Sequence, residues 1–149
     1  MLSMKKFLGV LFLFSFLLNF IWEVTQMPLY LSDQMGTRNF GAFLVIHWRV
    51  SLFDALFVVV AYILTSLIVA DKYWIKHKRA VPWVIFFSGL VVWQAGIEYY
   101  SVYIYHRWAY SALMPTIFSV GLSPLLQMIA LPLIAILFSR KFFASPPAS

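Results

Sequence analysis

No cysteine occurs among the 149 residues, so disulfides, thiolate metal sites and cysteine nucleophiles are excluded. Charge is scarce as well. Asp, Glu, Lys and Arg make up 11% of the chain, against about 25% in soluble domains. Only five residues are acidic and only three are histidine, none of them in a His-x-x-His or Glu-x-x-His pair. There is no Gly-x-Ser-x-Gly elbow and no glycine-rich phosphate loop. What is abundant is apolar: 63% of residues are hydrophobic, where soluble domains average about 45–50%. A soluble protein of this size could not cover that excess with polar surface. A disordered chain is excluded on the same grounds, and hydrocarbon lipid is the solvent that fits. The length suits one integral membrane domain over 1–149.

A helix crossing about 30 Å of hydrocarbon needs roughly 20 mostly apolar residues. Four segments qualify, at about 7–24, 52–70, 82–103 and 117–138. The runs are continuous rather than alternating, which excludes a β-barrel. The fold class expected is all-α: a four-helix transmembrane bundle. The N-terminus imitates a signal peptide, but the bulky Phe20, Ile21 and Trp22 do not suit a cleavage site, so an uncleaved first span is expected. Pro124 and Pro132 are both placed inside span four, each freeing a carbonyl one turn earlier. The outer 31–46 stretch reads as a short interfacial helix or a re-entrant turn, and the tail from Ala144 to Ser149 as frayed.

Lysine and arginine set the orientation. Eight of the eleven, Lys5, Lys6, Lys72, Lys76, Lys78, Arg79, Arg140 and Lys141, fall on one side, and Arg38, Arg49 and Arg107 on the other. Both termini and the 71–81 loop are therefore expected in the cytoplasm. The net charge of +6 is a topology signal, and no nucleic-acid partner is expected.

Three of the five acidic residues, Glu23, Asp54 and Glu98, lie in or at the edge of apolar segments, where such groups are costly and usually face a bundle interior or a wet cavity. Helical rise puts each at about 24–25 Å from the cytoplasmic edge, with Gln127 about 18 Å up, just beneath. Helical spacing stacks Asn19, Glu23, Gln26 and Tyr30 on span one, and His47, Ser51 and Asp54 on span two. It stacks Gln94, Glu98, Ser101 and Tyr105 on span three, and span four offers Thr116, Ser123 and Gln127. Pooled, these faces predict an outward-facing polar pocket over an apolar, aromatic floor. Asp54, Gln127, His47, His106, Arg107, Tyr110, Gln94 and Gln26 are the expected ligand-binding residues.

Two catalytic candidates, Glu98 and Glu23, would serve acid–base chemistry on a lipid or isoprenoid, with His47 or His106 as partner. The competing structural reading pairs the three carboxylates with Arg38, Arg49 and Arg107. Carboxylate and imidazole together suit zinc, iron or manganese. The nearby arginines oppose a cation, and neither a metal nor another cofactor is expected. Trp108 and Tyr110 suit an interfacial belt, as do Trp74 and Trp83 on the opposite side. Phe12, Phe14, Phe16 and Phe86-Phe87 read as lipid-facing or packing groups, and Gly89 and Gly96 as sites of close helix approach.

Several stretches occur together: Asn19-Phe20-Ile21-Trp22-Glu23 with Gln26-Met27-Pro28-Leu29-Tyr30; Glu98 with His106-Arg107-Trp108-Ala109-Tyr110; Met114-Pro115; and Gly121 to Gln127. In these the chain resembles a group of small uncharacterised bacterial four-span integral membrane proteins. The resemblance implies a multi-pass protein of the bacterial inner membrane and brings no activity with it. In architecture alone the chain is also similar to compact four- or five-span proteins that handle sterols and other isoprenoids, although the tryptophan-rich sensory protein pattern is absent. Membrane lipid and a lipid-soluble or amphiphilic small molecule are the expected partners. A homo-oligomer, or a non-catalytic role as an accessory or assembly subunit of a membrane complex, stays open.

Overall fold

The computed structural model describes residues 4–31 and 40–140. Four helices, α1 Met4–Thr25, α2 Phe40–Ile68, α3 Ala80–Tyr99 and α4 Leu122–Ser139, form an all-α bundle. Each, with α3 continued to Ile104, is long and apolar enough to cross a membrane. The protein is a multi-pass membrane protein.

The chain runs up and down. Near one end of the bundle Phe7 of α1 meets Tyr62 of α2 at 5.1 Å between ring centroids, and Phe14 stacks on Phe138 of α4 at 5.6 Å. Tyr62, Trp74 and Phe86 continue this aromatic core, with Trp74 5.4 Å from Tyr62 and 5.6 Å from Phe86. Trp74 is fully buried and its indole N–H donates to Ser66 Oγ at 3.2 Å. It is therefore a core residue, where the sequence suggested an interfacial anchor. Lys5, Lys6, Lys72, Lys76, Lys78, Arg79 and Arg140 all belong to this end, and the buried carboxyl groups lie toward the other.

Two outer boundaries differ from the hydropathy reading. Helix α2 starts at Phe40, twelve residues before the predicted span, so the 40–46 part of the supposed interfacial segment is helix. Its 29 residues reach about 44 Å, more than the hydrocarbon needs. The 32–39 and 141–149 segments, with Asp33, Gly36, Arg38, Lys141 and the tail, lie outside the described residues. Helix α4 starts at Leu122, because Thr116–Ile117 (β1) and Val120–Gly121 (β2) pair as a small antiparallel hairpin. Pro124 consequently sits in the first turn of α4, where its missing N–H would have had no partner, and only Pro132 interrupts the helix.

Helix α3 ends in a π turn, Tyr100–Ile104, closed by Tyr105 N donating to Tyr100 O at 2.8 Å. The wider turn breaks the 3.6-residue register. Ser101 stays buried, but Tyr105 swings out to 62% exposure, so it does not continue the Glu98 stack as predicted. His106, at φ 49°, completes the reversal. The chain then returns across the top of the bundle. Leu31 N donates to Ala109 O and Ser111 N to Leu29 O, both at 2.9 Å, tying the exit of α1 to the α3–α4 connection.

Candidate binding site

The predicted polar layer is assembled from all four helices. Asn19, Glu23, Gln26 and Tyr30 are all buried, as one helical stripe of α1 and its continuation requires. Gln127 of α4 joins them. Its Nε2 donates to Asn19 Oδ1 at 2.8 Å, Glu23 Oε1 at 3.0 Å and Asp54 Oδ2 at 3.2 Å. Gln26 Nε2 also donates to Glu23 Oε1, at 2.9 Å, and Ser123 Oγ to Gln26 Oε1 at 2.8 Å. Three helices are thereby fastened through two amides, which is how buried polar groups are satisfied where water is absent. Behind Glu23 stands His47, 1% exposed, with Nδ1 3.6 Å from Glu23 Oε2 and, among the described residues, without a hydrogen bond.

Glu98 forms a second centre. Tyr110 Oη donates to its Oε2 at 2.7 Å and Trp108 Nε1 to the same oxygen at 3.3 Å. Tyr30 Oη and Gln94 Nε2 approach Oε1 only at 3.5 Å. Burial pushes the Tyr30 and Tyr110 hydroxyls well above the ordinary phenol value, and the Glu98 charge adds to it in both. Both phenols therefore keep their protons and serve as donors. Gly121 makes the Tyr110 position available. A Cβ on Gly121 would stand 3.0 Å from the Tyr110 ring, and its backbone N–H donates to Tyr110 Oη at 2.9 Å. No close neighbour faces Gly89 or Gly96, so the close helix approach expected there is not made.

Arginines do not neutralise this layer among the described residues. The structural pairing with Arg38, Arg49 and Arg107 predicted ion pairs, but the close contacts of Glu23, Asp54 and Glu98 are amides, phenols, an indole and the His47 ring. Arg49 lies on the exposed face of α2, and the Arg107 guanidinium stacks over the Tyr105 ring at 5.0 Å. Arg38 lies outside the described residues. His106 is exposed, with Nδ1 at 3.1 Å from Val102 O, and it does not reach the layer.

Beside these groups opens a cleft of about 470 Å³ between α2 and α3. Glu23, Gln26, Tyr30, Asp54, Gln94 and Glu98 form its polar wall, with Arg107 and Trp108 also lining it. Val50, Phe53, Leu56, Val60, Trp93 and Ile97 line the rest, and each of these is exposed on the outer surface of its helix. The rim is thus the lipid-facing surface of two spanning helices. Of the ten predicted site residues, Glu23, Gln26, Asp54, Gln94, Glu98 and Arg107 line the cleft. Gln127, His47 and Tyr110 stand behind it and hold its wall. Trp108 was missed as a site residue. Amphipathic aromatics in a loop suit an interfacial belt equally well, and only the return of the chain over α3 brings its indole to Glu98. The apolar side of the cleft, Phe53, Phe57 and Trp93, gave no signal within uniformly apolar helices.

Among the described residues no three His, Asp or Glu side chains gather as a metal ion would require. Comparison with known proteins gave no match to a family model, to a curated protein or to a solved structure.

Proposed function

We propose that this is a protein of the bacterial cytoplasmic membrane, with its lysine-rich end in the cytoplasm, that binds a lipid-like or amphiphilic small molecule in the cleft between α2 and α3. One observation carries the reading. The cleft combines a buried carboxyl–amide wall with a rim of exposed apolar side chains, among them Phe53, Trp93 and Ile97. A head group would meet Glu23, Asp54, Glu98 and Gln94, while its chain would lie along the apolar rim and into the bilayer. The volume falls in the range of small-molecule sites, about 300–1,000 Å³. Polar side chains at membrane depth are expensive and are retained where they do something.

Native mass spectrometry of the protein released from lipid nanodiscs tests this. The expected result is one retained amphiphile per chain, lost when Ile97→Trp fills the cleft in a protein whose helicity is unchanged. A wild-type protein free of any adduct, or an Ile97→Trp protein that keeps it, would overturn the reading.

A catalytic reading draws on one further observation, His47 Nδ1 standing 3.6 Å from Glu23 Oε2 at the wall. In that reading Glu98 or Glu23 moves a proton on a lipid or isoprenoid, and Glu98→Gln abolishes its turnover. A purely structural, accessory role would be favoured by arginine–carboxylate pairs filling the layer. The described residues hold a cleft there instead.

A further inference from the structure

Among the described residues the cleft wall has more acceptors than donors to satisfy them. Asp54 accepts one hydrogen bond among the described residues, from Gln127 through Oδ2. Glu98 Oε1 has only the two 3.5 Å approaches, at the limit of a hydrogen bond. Glu23 Oε2 has His47 at 3.6 Å, and that buried Nδ1 is itself without a hydrogen bond. Gln127 Nε2 carries two hydrogens for three acceptors. Three carboxyl groups line one cavity, and Arg107 is the one cation lining it among the described residues. Tyr30, Phe53, Phe57, Trp93 and Trp108 add aromatic rings, whose faces attract cations.

We infer that the ligand of this cleft is a cationic amphiphile, with an ammonium head bearing N–H donors and a single apolar chain that reaches the cleft sideways from the bilayer. This rests on the amphiphile-binding reading and specifies its chemistry. The ammonium supplies the hydrogens that Asp54 and Glu98 lack, and its charge offsets the repulsion among carboxyl groups sharing a cavity. An anionic head would meet that repulsion with Arg107 alone, among the described lining residues, to oppose it. A neutral alcohol would satisfy one acceptor and leave the charge imbalance in place.

The test uses full-length protein in nanodiscs of neutral phospholipid at pH 8, with tryptophan fluorescence following titrations of dodecylamine, dodecanol and dodecanoate. Trp93 and Trp108 line the cleft and report on its occupancy. Dodecylamine is expected to bind about tenfold tighter than dodecanol, the worth of one charge-assisted hydrogen bond, with dodecanoate weakest. Glu98→Gln and, separately, Asp54→Asn should each bring the amine-to-alcohol ratio toward one. Arg107→Gln should raise it, which separates loss of charge recognition from damage to the fold. Equal binding of amine and alcohol, or preferred binding of dodecanoate, would overturn the cationic assignment and leave the amphiphile reading standing. Failure of all three probes to bind would overturn both.

Discussion

Gln127 has two amide hydrogens and three oxygen neighbours, from Asn19, Glu23 and Asp54. Removing it leaves the buried Glu23 and the half-buried Asp54 short of a donor, and a hydrogen-bonding group left unsatisfied costs about 1–3 kcal/mol. Gln94 touches Glu98 only at 3.5 Å. Gln127→Leu should therefore unfold at clearly lower denaturant than wild type in detergent micelles. Gln94→Leu should cost about 1 kcal/mol, and equal losses would contradict the assignment. Gly121→Ala probes the second centre. The added Cβ meets the Tyr110 ring and Met114 Sδ at 3.0 and 3.1 Å, so the ring that donates to Glu98 must give by a few tenths of an ångström. Overpacking of this kind costs about 1–3 kcal/mol, and an unchanged melting temperature would show that the ring has room to move. At this scale much was legible in the sequence. Asn19, Glu23 and Gln26 repeat at helical spacing, and an α-helix leaves no choice but to stack them. Gly121 and Trp108 were not legible, because their roles depend on where a folded-back connection lands.

Elements end for local reasons that can be changed one residue at a time. Helix α2 closes with Asp71 N donating to Ser66 O at 3.0 Å and with Ala70 at φ 51°, a left-handed position that favours glycine. Ala70→Gly should relieve about 1 kcal/mol of strain and raise the melting temperature, and a drop would show that the strain is absorbed elsewhere. Asp71 then organises the α2–α3 connection. Partial burial works to raise its pKa, but the Tyr73 N–H at 2.8 Å, His77 and Arg79 outweigh this and hold it below the ordinary carboxylate value. A depressed pKa means that the stabilisation is full at neutral pH and fades as pH falls through the lowered value. Asp71→Asn should thus be less stable than wild type at pH 7, with the gap closing below the ordinary value of 3.8. A gap independent of pH would show that the charge is not involved. Hydropathy located all four helices yet misplaced the outer ends of α2 and α4. It measures preference for lipid, and the first turns of α2, the π turn after α3 and the hairpin before α4 are set by hydrogen bonds instead.

At the scale of the whole molecule, the bundle has a basic, aromatic-packed end and a carboxyl-lined end beside a lateral cleft. Membrane topology should follow the lysines. The absence of cysteine makes that simple to test, since any thiol introduced is unique. A maleimide that does not cross membranes should label Ala112→Cys in intact cells and label Lys78→Cys only after permeabilisation. The reverse pattern would invert the proposed orientation. Photo-cross-linking reads directly whether an amphiphile occupies the cleft between α2 and α3. A dodecylamine bearing a diazirine on its chain, irradiated with the protein in nanodiscs, should label the peptides holding Val50 to Val60 and Trp93 to Trp108. Excess unlabelled dodecylamine should abolish that labelling. Labelling spread evenly over the lipid-facing surfaces of all four helices, and insensitive to competitor, would show that the cleft holds no amphiphile.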